Sequence, residues 1–168
     1  VDWPFGTTYY SPAPGVDRVN SKLDANGVEA SGAPAGPNGG ISTYTSSDTP
    51  IAIPDSPGGP ITSTINVPAS VVISDLNVEV DITHSWKGDL IVELTSPEGT
   101  TVTLHNRSGS STDNVQTTYD SVTTPDGPGS MADFDGENAL GGWTLSVEDE
   151  AGSDIGDLNS WTLLVDVN

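Results

Sequence analysis

Apolar and polar residues alternate with a period of two along the chain from about residue 41 onward. In the stretch VVISDLNVEVDITH, one side of the predicted strand is apolar and the other side carries acids and amides. The apolar side consists of Val72, Leu76, Val78, Val80 and Ile82, and the polar side of Asp75, Asn77, Glu79 and Asp81. This period is that of a β-strand with one face in a core and the other in solvent.

The alternation recurs in segments separated by turn sequences such as PDSPGGP and SPEGT, in which Pro and Gly favour a reversal of the chain. The sequence contains no long apolar stripe at helical spacing. The predicted strands are Ser42–Thr45, Pro50–Ile53, Ile61–Val67, Val71–Thr83, Asp89–Ser96, Thr101–His105, Val115–Tyr119, Gly142–Glu148 and Asn159–Asp166. Many short strands with such turns predict an all-β protein, a two-sheet β-sandwich of the jelly-roll type. Trp143 and Trp161 fall within alternating strands, and we predict that both lie in the core.

The first 44 residues differ from the rest of the chain. Segments such as DANGVEASGAPAGPNGG are rich in Pro, Gly and Ala and hold few residues that fill a core. We therefore divide the chain into a linker or draped N-terminal extension at 1–44 and a β-sandwich at 45–168. Trp3, Phe5, Tyr9 and Tyr10 indicate that the extension covers a surface. A chain of 168 residues buries a core without disulfides, which agrees with the absence of cysteine.

The charge of the chain is strongly unbalanced, with 24 acidic residues against 4 basic ones and a net charge of −20. Such a surface repels nucleic acids and anionic membranes, so we exclude both as partners. The acids have two interpretations. They form a solvated face that keeps the protein soluble, or some of them converge on loops to bind calcium, which takes six to eight oxygen ligands.

Two further features indicate a module of a larger secreted protein. No apolar run approaches the ~20 residues of a membrane helix. The first residues, VDWPFGTTYY, lack the basic and apolar regions of a signal peptide. We interpret the chain as starting within a longer protein or after processing, and we place it outside the cell, in a bacterium.

Three groups of acids supply the candidate calcium ligands. The first group has an acid on either side of a short strand, the second has acids at alternate positions of one loop, and the third surrounds two glycines that we expect to adopt positive φ. The candidate metal ligands are Asp113 and Asp120, then Asp133, Asp135 and Glu137, then Asp149, Asp154 and Asp157. The alternative is that these acids are ordinary turn residues.

The stretch HSWKGDL places His84, Trp86 and Asp89 at the start of a strand, in the manner of an active-site trio. The chain has no cysteine and no G-x-S-x-G motif, so the trio lacks an activated nucleophile. We predict instead a structural corner, in which Trp86 packs over the end of the sandwich and the Asp89 side chain accepts hydrogen bonds from turn amides. We assign no catalytic residue, and the two histidines are too few for a zinc site.

Several motifs in order resemble one protein family. They are the HSWKGDL corner, the SPEGT turn, LHNRSG, FDGE followed by GWTL, and the closing GDLNSW. Together they resemble the P domain, also called the Homo B domain, that follows the catalytic domain of kexin- and furin-like subtilases and of bacterial secreted proteases. The resemblance covers most of residues 49 to 168 and not the first forty. It implies a β-sandwich that is not catalytic itself and that supports the folding and stability of an attached protease domain.

The sequence therefore predicts a non-catalytic, calcium-stabilised accessory domain of a secreted serine protease of the subtilase class. Its expected partners are the attached or neighbouring protease catalytic domain and a protein or polysaccharide substrate. An alternative is a calcium-dependent jelly-roll module that binds carbohydrate or protein fibres through exposed aromatics such as Trp3, Tyr9, Tyr10 and Tyr44. A third reading, glycoside hydrolysis by two carboxylates, requires a cleft of which the sequence gives no sign.

Overall fold

A computed structural model of the protein describes residues 39 to 167, which form nine strands and two short 3₁₀ turns. The strands are β1 (Gly40–Thr45), β2 (Ile51–Ile53), β3 (Ile61–Val67), β4 (Asp75–His84), β5 (Leu90–Thr95), β6 (Thr101–Asn106), β7 (Val115–Tyr119), β8 (Gly141–Asp149) and β9 (Gly156–Val167). The 3₁₀ turns are Lys87–Asp89 and Met131–Phe134. Within these residues, no helix has the length and apolar character needed to cross a membrane.

The strands form two antiparallel sheets that pack face to face. The first sheet has the order β1-β9-β4-β7, with β2 pairing to another part of β9, and the second has the order β3-β8-β5-β6. From β3 to β9, every step along the chain passes from one sheet to the other, except the step from β5 to β6 within the second sheet. This alternation is the strand order of a jelly roll, and it confirms the predicted fold.

The core fills the space between the sheets with alternate residues of every long strand. Trp143 on β8 and Trp161 on β9 are both buried, as predicted. The Trp143 indole N–H donates to the Ala139 carbonyl at 2.9 Å, and the Trp161 indole N–H donates to the Ser63 hydroxyl at 2.6 Å. The largest core side chains thus bury their rings while their polar atoms remain hydrogen-bonded.

One predicted core position is wrong. Val72 has 63% of its surface exposed, whereas its neighbour Ile73 is buried. Strand β4 begins only at Asp75, because the Ser74 N–H donates to the Asp166 carbonyl and residue 72 forms an isolated bridge with Asn138. The chain before Asp75 therefore leaves the regular ladder, and the period of two does not extend to Val72.

Strand β1 extends the sandwich toward the N-terminus. It runs antiparallel to β9 over its whole length, from Gly40 opposite Val167 to Thr45 opposite Thr162. Residues 40 to 44, which the sequence assigned to the extension, are thus part of the first sheet. Trp3, Phe5, Tyr9 and Tyr10 lie outside the described residues, and the division of the chain before residue 39 stays a prediction.

Candidate functional site

A buried contact joins the two sheets at one end of the sandwich. His84, the last residue of β4, and Asp149, the last residue of β8, have fully buried side chains with Nε2 and Oδ2 3.3 Å apart. His84 Nδ1 lies 3.2 Å from the Trp86 N and 3.1 Å from the Trp86 carbonyl oxygen. Nε2 faces a carboxylate, which accepts hydrogen bonds, so Nε2 is the donor to Asp149. The other Asp149 oxygen accepts the Ala151 N–H at 3.1 Å. The protein itself therefore supplies donors to both oxygens of this predicted calcium ligand.

The 3₁₀ turn Lys87–Asp89 is anchored to the loop before β7 through its main chain. The Lys87 N–H donates to the Thr112 carbonyl at 2.9 Å, and the Gly88 N–H donates to the Ser110 carbonyl at 3.0 Å. These bonds satisfy main-chain groups that a buried turn would otherwise leave unpaired. The turn is consequently a fixed junction between β4, β5 and the loop that leads to β7.

Trp86 and Asp89 occupy the ends of this corner. The Asp89 N–H donates to the Trp86 carbonyl at 3.1 Å, and the Asp89 carbonyl accepts the Glu150 N–H at 2.9 Å. Since these contacts of Asp89 run through its main chain, the bracing role of its carboxylate stays a prediction. The Trp86 side chain has 42% of its surface exposed and covers the end of the sandwich only in part.

Two glycines allow the close approach of chain segments at the corner, and both stand in the tripeptide GDL. A Cβ on Gly156 would lie 2.3 Å from the Thr83 carbonyl oxygen, and a Cβ on Gly88 would lie 2.7 Å from the Ser110 Cα. Positive φ was the expected reason for Gly156 and its neighbour Gly152, and this expectation is wrong, because neither adopts it. At Gly88 and Gly156, the absence of a side chain is what allows the neighbouring segment to approach.

The corner does not assemble a catalytic pair. Both ring nitrogens of His84 are engaged, and the Ser85 hydroxyl donates to Asp154 at 2.6 Å and not to the imidazole. Ser85 therefore lacks the histidine base of a Ser–His pair, and its hydrogen-bond partner is a carboxylate of the neighbouring loop. Asp149 and Asp154 thus contact adjacent residues, but each carboxylate serves a different donor.

A second group of Ser, His and Asp side chains was not anticipated from the sequence. His105 Nε2 donates to the Lys87 carbonyl at 2.8 Å, while Ser108 Oγ and Asp126 Oδ2 both lie near Nδ1, at 3.4 and 3.5 Å. A catalytic triad needs the nucleophile and the carboxylate on opposite ring nitrogens, so this geometry is not that of a triad. No motif spacing marks the group, because Asp126 enters from a separate Pro- and Gly-rich loop.

The ionisation of Asp126 is favoured by its neighbours. Burial acts to raise the pKa of Asp126, while hydrogen bonds from Asn106 and Ser108 act to lower it. The charges of His105 and Lys87 add to these bonds, and the resulting pKa lies below the ordinary value. The ionised form of Asp126 is therefore favoured by the surrounding hydrogen-bond donors and by the charge of Lys87.

The first predicted pair of metal ligands is separated by a strand. Asp113 precedes β7 and Asp120 follows it, so about 17 Å of extended chain lies between them. The Asp120 carboxylate accepts the Val122 and Thr123 N–H groups at 2.7 and 2.6 Å, whereas Asp113 is exposed. Asp120 thus stabilises a local turn.

The second predicted group has three different local roles. Asp133 forms a reciprocal cap with Ser130, whose N–H and hydroxyl donate to it at 3.1 and 2.9 Å. Burial and the charge of nearby Asp75 both raise the pKa of Asp135. Glu137 accepts the Thr100 hydroxyl through Oε1, and its Oε2 atom is buried without a hydrogen-bond partner among the described residues. Among the side chains of residues 39 to 167, Glu137 alone has a buried oxygen without a hydrogen-bond partner.

The third predicted group also fails to converge. Asp157 lies exposed on β9, whereas Asp149 is buried against His84 and Asp154 is bonded to Ser85. Across residues 39 to 167, no three His, Cys, Asp or Glu side chains come together in a way that would hold a metal ion. A metal bound in this region would therefore need main-chain or water oxygens in addition to a carboxylate.

The fold and these sites define a β-sandwich module whose motif residues serve structural roles. The family model of the proprotein convertase P-domain matches residues 73 to 165. The chain therefore belongs to the proprotein convertase P-domain family, whose members are accessory domains of proteases. This match confirms the family resemblance that the sequence motifs indicated.

Curated relatives share the domain within longer proteins. Leupeptin-inactivating enzyme 1 of Streptomyces exfoliatus is 38% identical over 120 residues, which cover 67% of this chain and 24% of that protein. A calcium-dependent protease of Trichormus variabilis is 38% identical over 94 residues, or 54% of this chain and 14% of that protein. A transglutaminase-activating metalloprotease of Streptomyces mobaraensis is 35% identical over 127 residues, or 74% and 15%. The chain thus spans a quarter or less of the length of these relatives.

The fold also occurs in a solved protease. The crystal structure of a serine protease of Aeromonas sobria superposes with a TM-score of 0.58 and 19% identity, over 81% of this chain and 28% of that chain. At this level of identity the similarity supports the fold alone.

Replacement of Gly156 by alanine tests the close contact at the corner. Because the new Cβ would lie 2.3 Å from the Thr83 carbonyl oxygen, we expect Gly156→Ala to lower the free energy of unfolding by about 3 kcal/mol. The matched control is Gly152→Ala, whose Cβ would meet its nearest atom at 3.6 Å, with an expected change within about 0.5 kcal/mol. Urea unfolding measures both, and equal effects would contradict the steric explanation.

Proposed function

We propose that this chain is a non-catalytic accessory domain of a secreted bacterial protease, and that it stabilises the catalytic domain to which it is joined. The observation that carries the proposal is the family match over residues 73 to 165. The engagement of His84 and His105 in structural contacts supports the absence of catalysis. We further propose that this protease is a serine protease of the subtilase class. This proposal is narrower than the first, since one relative is named a metalloprotease.

The mechanism is a thermodynamic linkage between two folded domains. A domain that contacts only the native form of its neighbour shifts the folding equilibrium of that neighbour toward the native state. Trp86 and Ile155, which are 42% and 73% exposed, are apolar side chains available for such a contact. The bond from Ser85 to Asp154 links the two segments that carry them, so both side chains belong to the surface at the corner end of the sandwich.

The test compares complete protease with variants in this surface. In Trp86→Ser combined with Ile155→Ser, we expect the melting temperature of the catalytic domain to fall by several degrees, as a lost contact of about 1–2 kcal/mol would cause. Val122→Ser, at a residue 87% exposed and outside this surface, is the matched control and should leave the temperature unchanged. The proposal would be overturned if the catalytic domain had the same melting temperature in the complete protease, in the double variant and in a protein without residues 39 to 168.

We also propose that calcium binds at Glu137. Two relatives are named calcium-dependent proteases, and Glu137 Oε2 is a buried carboxylate oxygen without a partner among the described residues. An unpaired buried carboxylate oxygen is costly, and a hard cation would satisfy it. The Thr100 hydroxyl oxygen, already bonded to Oε1, is a further oxygen at this site, and water would supply the remaining ligands. With a single carboxylate, the affinity would lie in the range of weak extracellular modules, at a Kd of about 10⁻⁴–10⁻³ M.

A thermal melt in chelator, followed by titration with calcium, measures this site. We expect a stabilisation that reaches about 2.7 kcal/mol at a hundredfold excess over the Kd. Glu137→Gln should abolish the effect, whereas Asp157→Asn, at an exposed acid on β9, should preserve it. Equal stabilisation by magnesium at matched ionic strength, or an unchanged calcium response in Glu137→Gln, would contradict a calcium site at Glu137.

The alternative of a carbohydrate- or fibre-binding module depends on exposed aromatics. Tyr44 packs against the core and Tyr119 is buried, so among the described aromatic side chains only Trp86 has more than a third of its surface exposed. A single indole does not provide the planar row of rings that such a surface uses. Accordingly, the described residues favour the accessory domain.

A further inference from the structure

A polar groove of about 330 Å³ runs along β7, at the edge of the first sheet. One side of the groove is the strand itself, from Asn114 through Tyr119. The other side is formed by side chains from β6 and the surrounding loops. These are Lys87, His105, Ser108, Thr123, Thr124 and Asp126.

The β7 edge is open, whereas comparable edges of the second sheet are blocked. On β6, the loop 126–128 acts as a cover, because Thr103 donates to the Pro128 carbonyl at 2.9 Å and accepts the Gly127 N–H at 3.0 Å. On β3, the Asp48 carboxylate accepts the Thr64 N–H at 2.9 Å. By contrast β7 pairs only with β4 among the described strands. An uncovered strand edge presents unpaired N–H and C=O groups to an extended segment.

The groove also contains an unusual charge for this protein. Lys87 and Arg107 are the only Lys or Arg residues between positions 39 and 167, and Lys87 lines the groove beside His105. Within the described residues, no acid lies within 4.0 Å of the Lys87 ammonium. Its aliphatic stem lies over Gly109, where an added Cβ would be 2.1 Å from Lys87 Cε. The ammonium group is therefore held at the groove without a direct ion-pair partner among these residues.

We propose that this groove binds an extended polypeptide segment that adds a strand to β7 and directs an acidic side chain toward Lys87. Strand addition would satisfy the open main-chain groups of β7. An acidic side chain complements Lys87, which has no direct ion-pair partner among the described residues, although its charge also acts on Asp126 in the same groove. The groove wall contains a single aromatic residue, the buried Tyr119, so stacking of a sugar or a base is not its chemistry.

The test uses the 168-residue chain and fluorescein-labelled pentapeptides measured by fluorescence anisotropy. The probe is acetyl-Thr-Val-Glu-Val-Thr-amide, and its comparison peptides carry Lys at the centre or N-methyl groups at alternate amides. We expect the acidic peptide to bind at least about tenfold more tightly than either, because the first loses the charge match and the second cannot pair with a strand. Equal binding of the N-methylated peptide would overturn strand addition.

Protein variants then locate the site. Lys87→Met keeps the aliphatic stem and should lower the affinity for the acidic peptide about five- to tenfold. Lys87→Glu should make the lysine peptide bind more tightly than the acidic peptide. Arg107→Gln, the only other described Lys or Arg position, is the matched control, with a change below about twofold. Amide chemical shifts should move in residues 115 to 119. Shifts confined to β1, the other end of the first sheet, or no binding at millimolar peptide to a folded chain, would reject the proposal.

Discussion

The architecture depends on the buried contact between His84 and Asp149, which fastens one sheet to the other at the corner end. The two residues are the last of β4 and β8, and 65 positions separate them along the chain. A buried carboxylate is tolerated only where donors satisfy its oxygens, and here His84 and Ala151 supply them. The same imidazole is oriented by the Trp86 N–H, so the contact also fixes the entry into the 3₁₀ turn Lys87–Asp89. The sandwich is thus closed by hydrogen bonds at a place where apolar packing alone would not determine how the sheets meet.

The motifs that mark the family gather around this contact. The HSWKGDL and closing GDLNSW motifs lie far apart in the sequence, yet β4 and β9 pair so that His84 is opposite Gly156. His105, from the LHNRSG motif, holds the same turn through the Lys87 carbonyl. Both histidines therefore act on the corner as hydrogen-bond donors to fixed partners. This arrangement explains why residues that resemble an active site in the sequence have a structural role, consistent with an accessory domain of a protease.

Strands and core were predictable because they follow from local periodicity. Strands β3 and β7 have the predicted bounds, and the burial of Trp143 and Trp161 follows from their alternation with polar residues. The exposure of Val72 was not predictable, because it results from a distant bond between Ser74 and Asp166.

The roles of the acids could not be predicted from the sequence either. Asp120, Asp133 and Asp149 look alike as turn residues, but one closes a turn, one caps a 3₁₀ turn and one is buried against His84. The groove beside β7 depends on which strands form the edges, and no local pattern encodes that.

The most direct measurement of the central claim is a double-mutant cycle between His84 and Asp149. The free energy of unfolding is measured by urea denaturation for the parent chain, His84→Ala, Asp149→Ala and the double variant. We expect Asp149→Ala alone to lower the free energy of unfolding by about 3–5 kcal/mol, since it removes one partner of a buried pair. We also expect a coupling energy of about 1–3 kcal/mol, so that the double variant loses clearly less than the sum of the single losses. Single losses that add to within about 0.5 kcal/mol would contradict the claim that this contact holds the two sheets together.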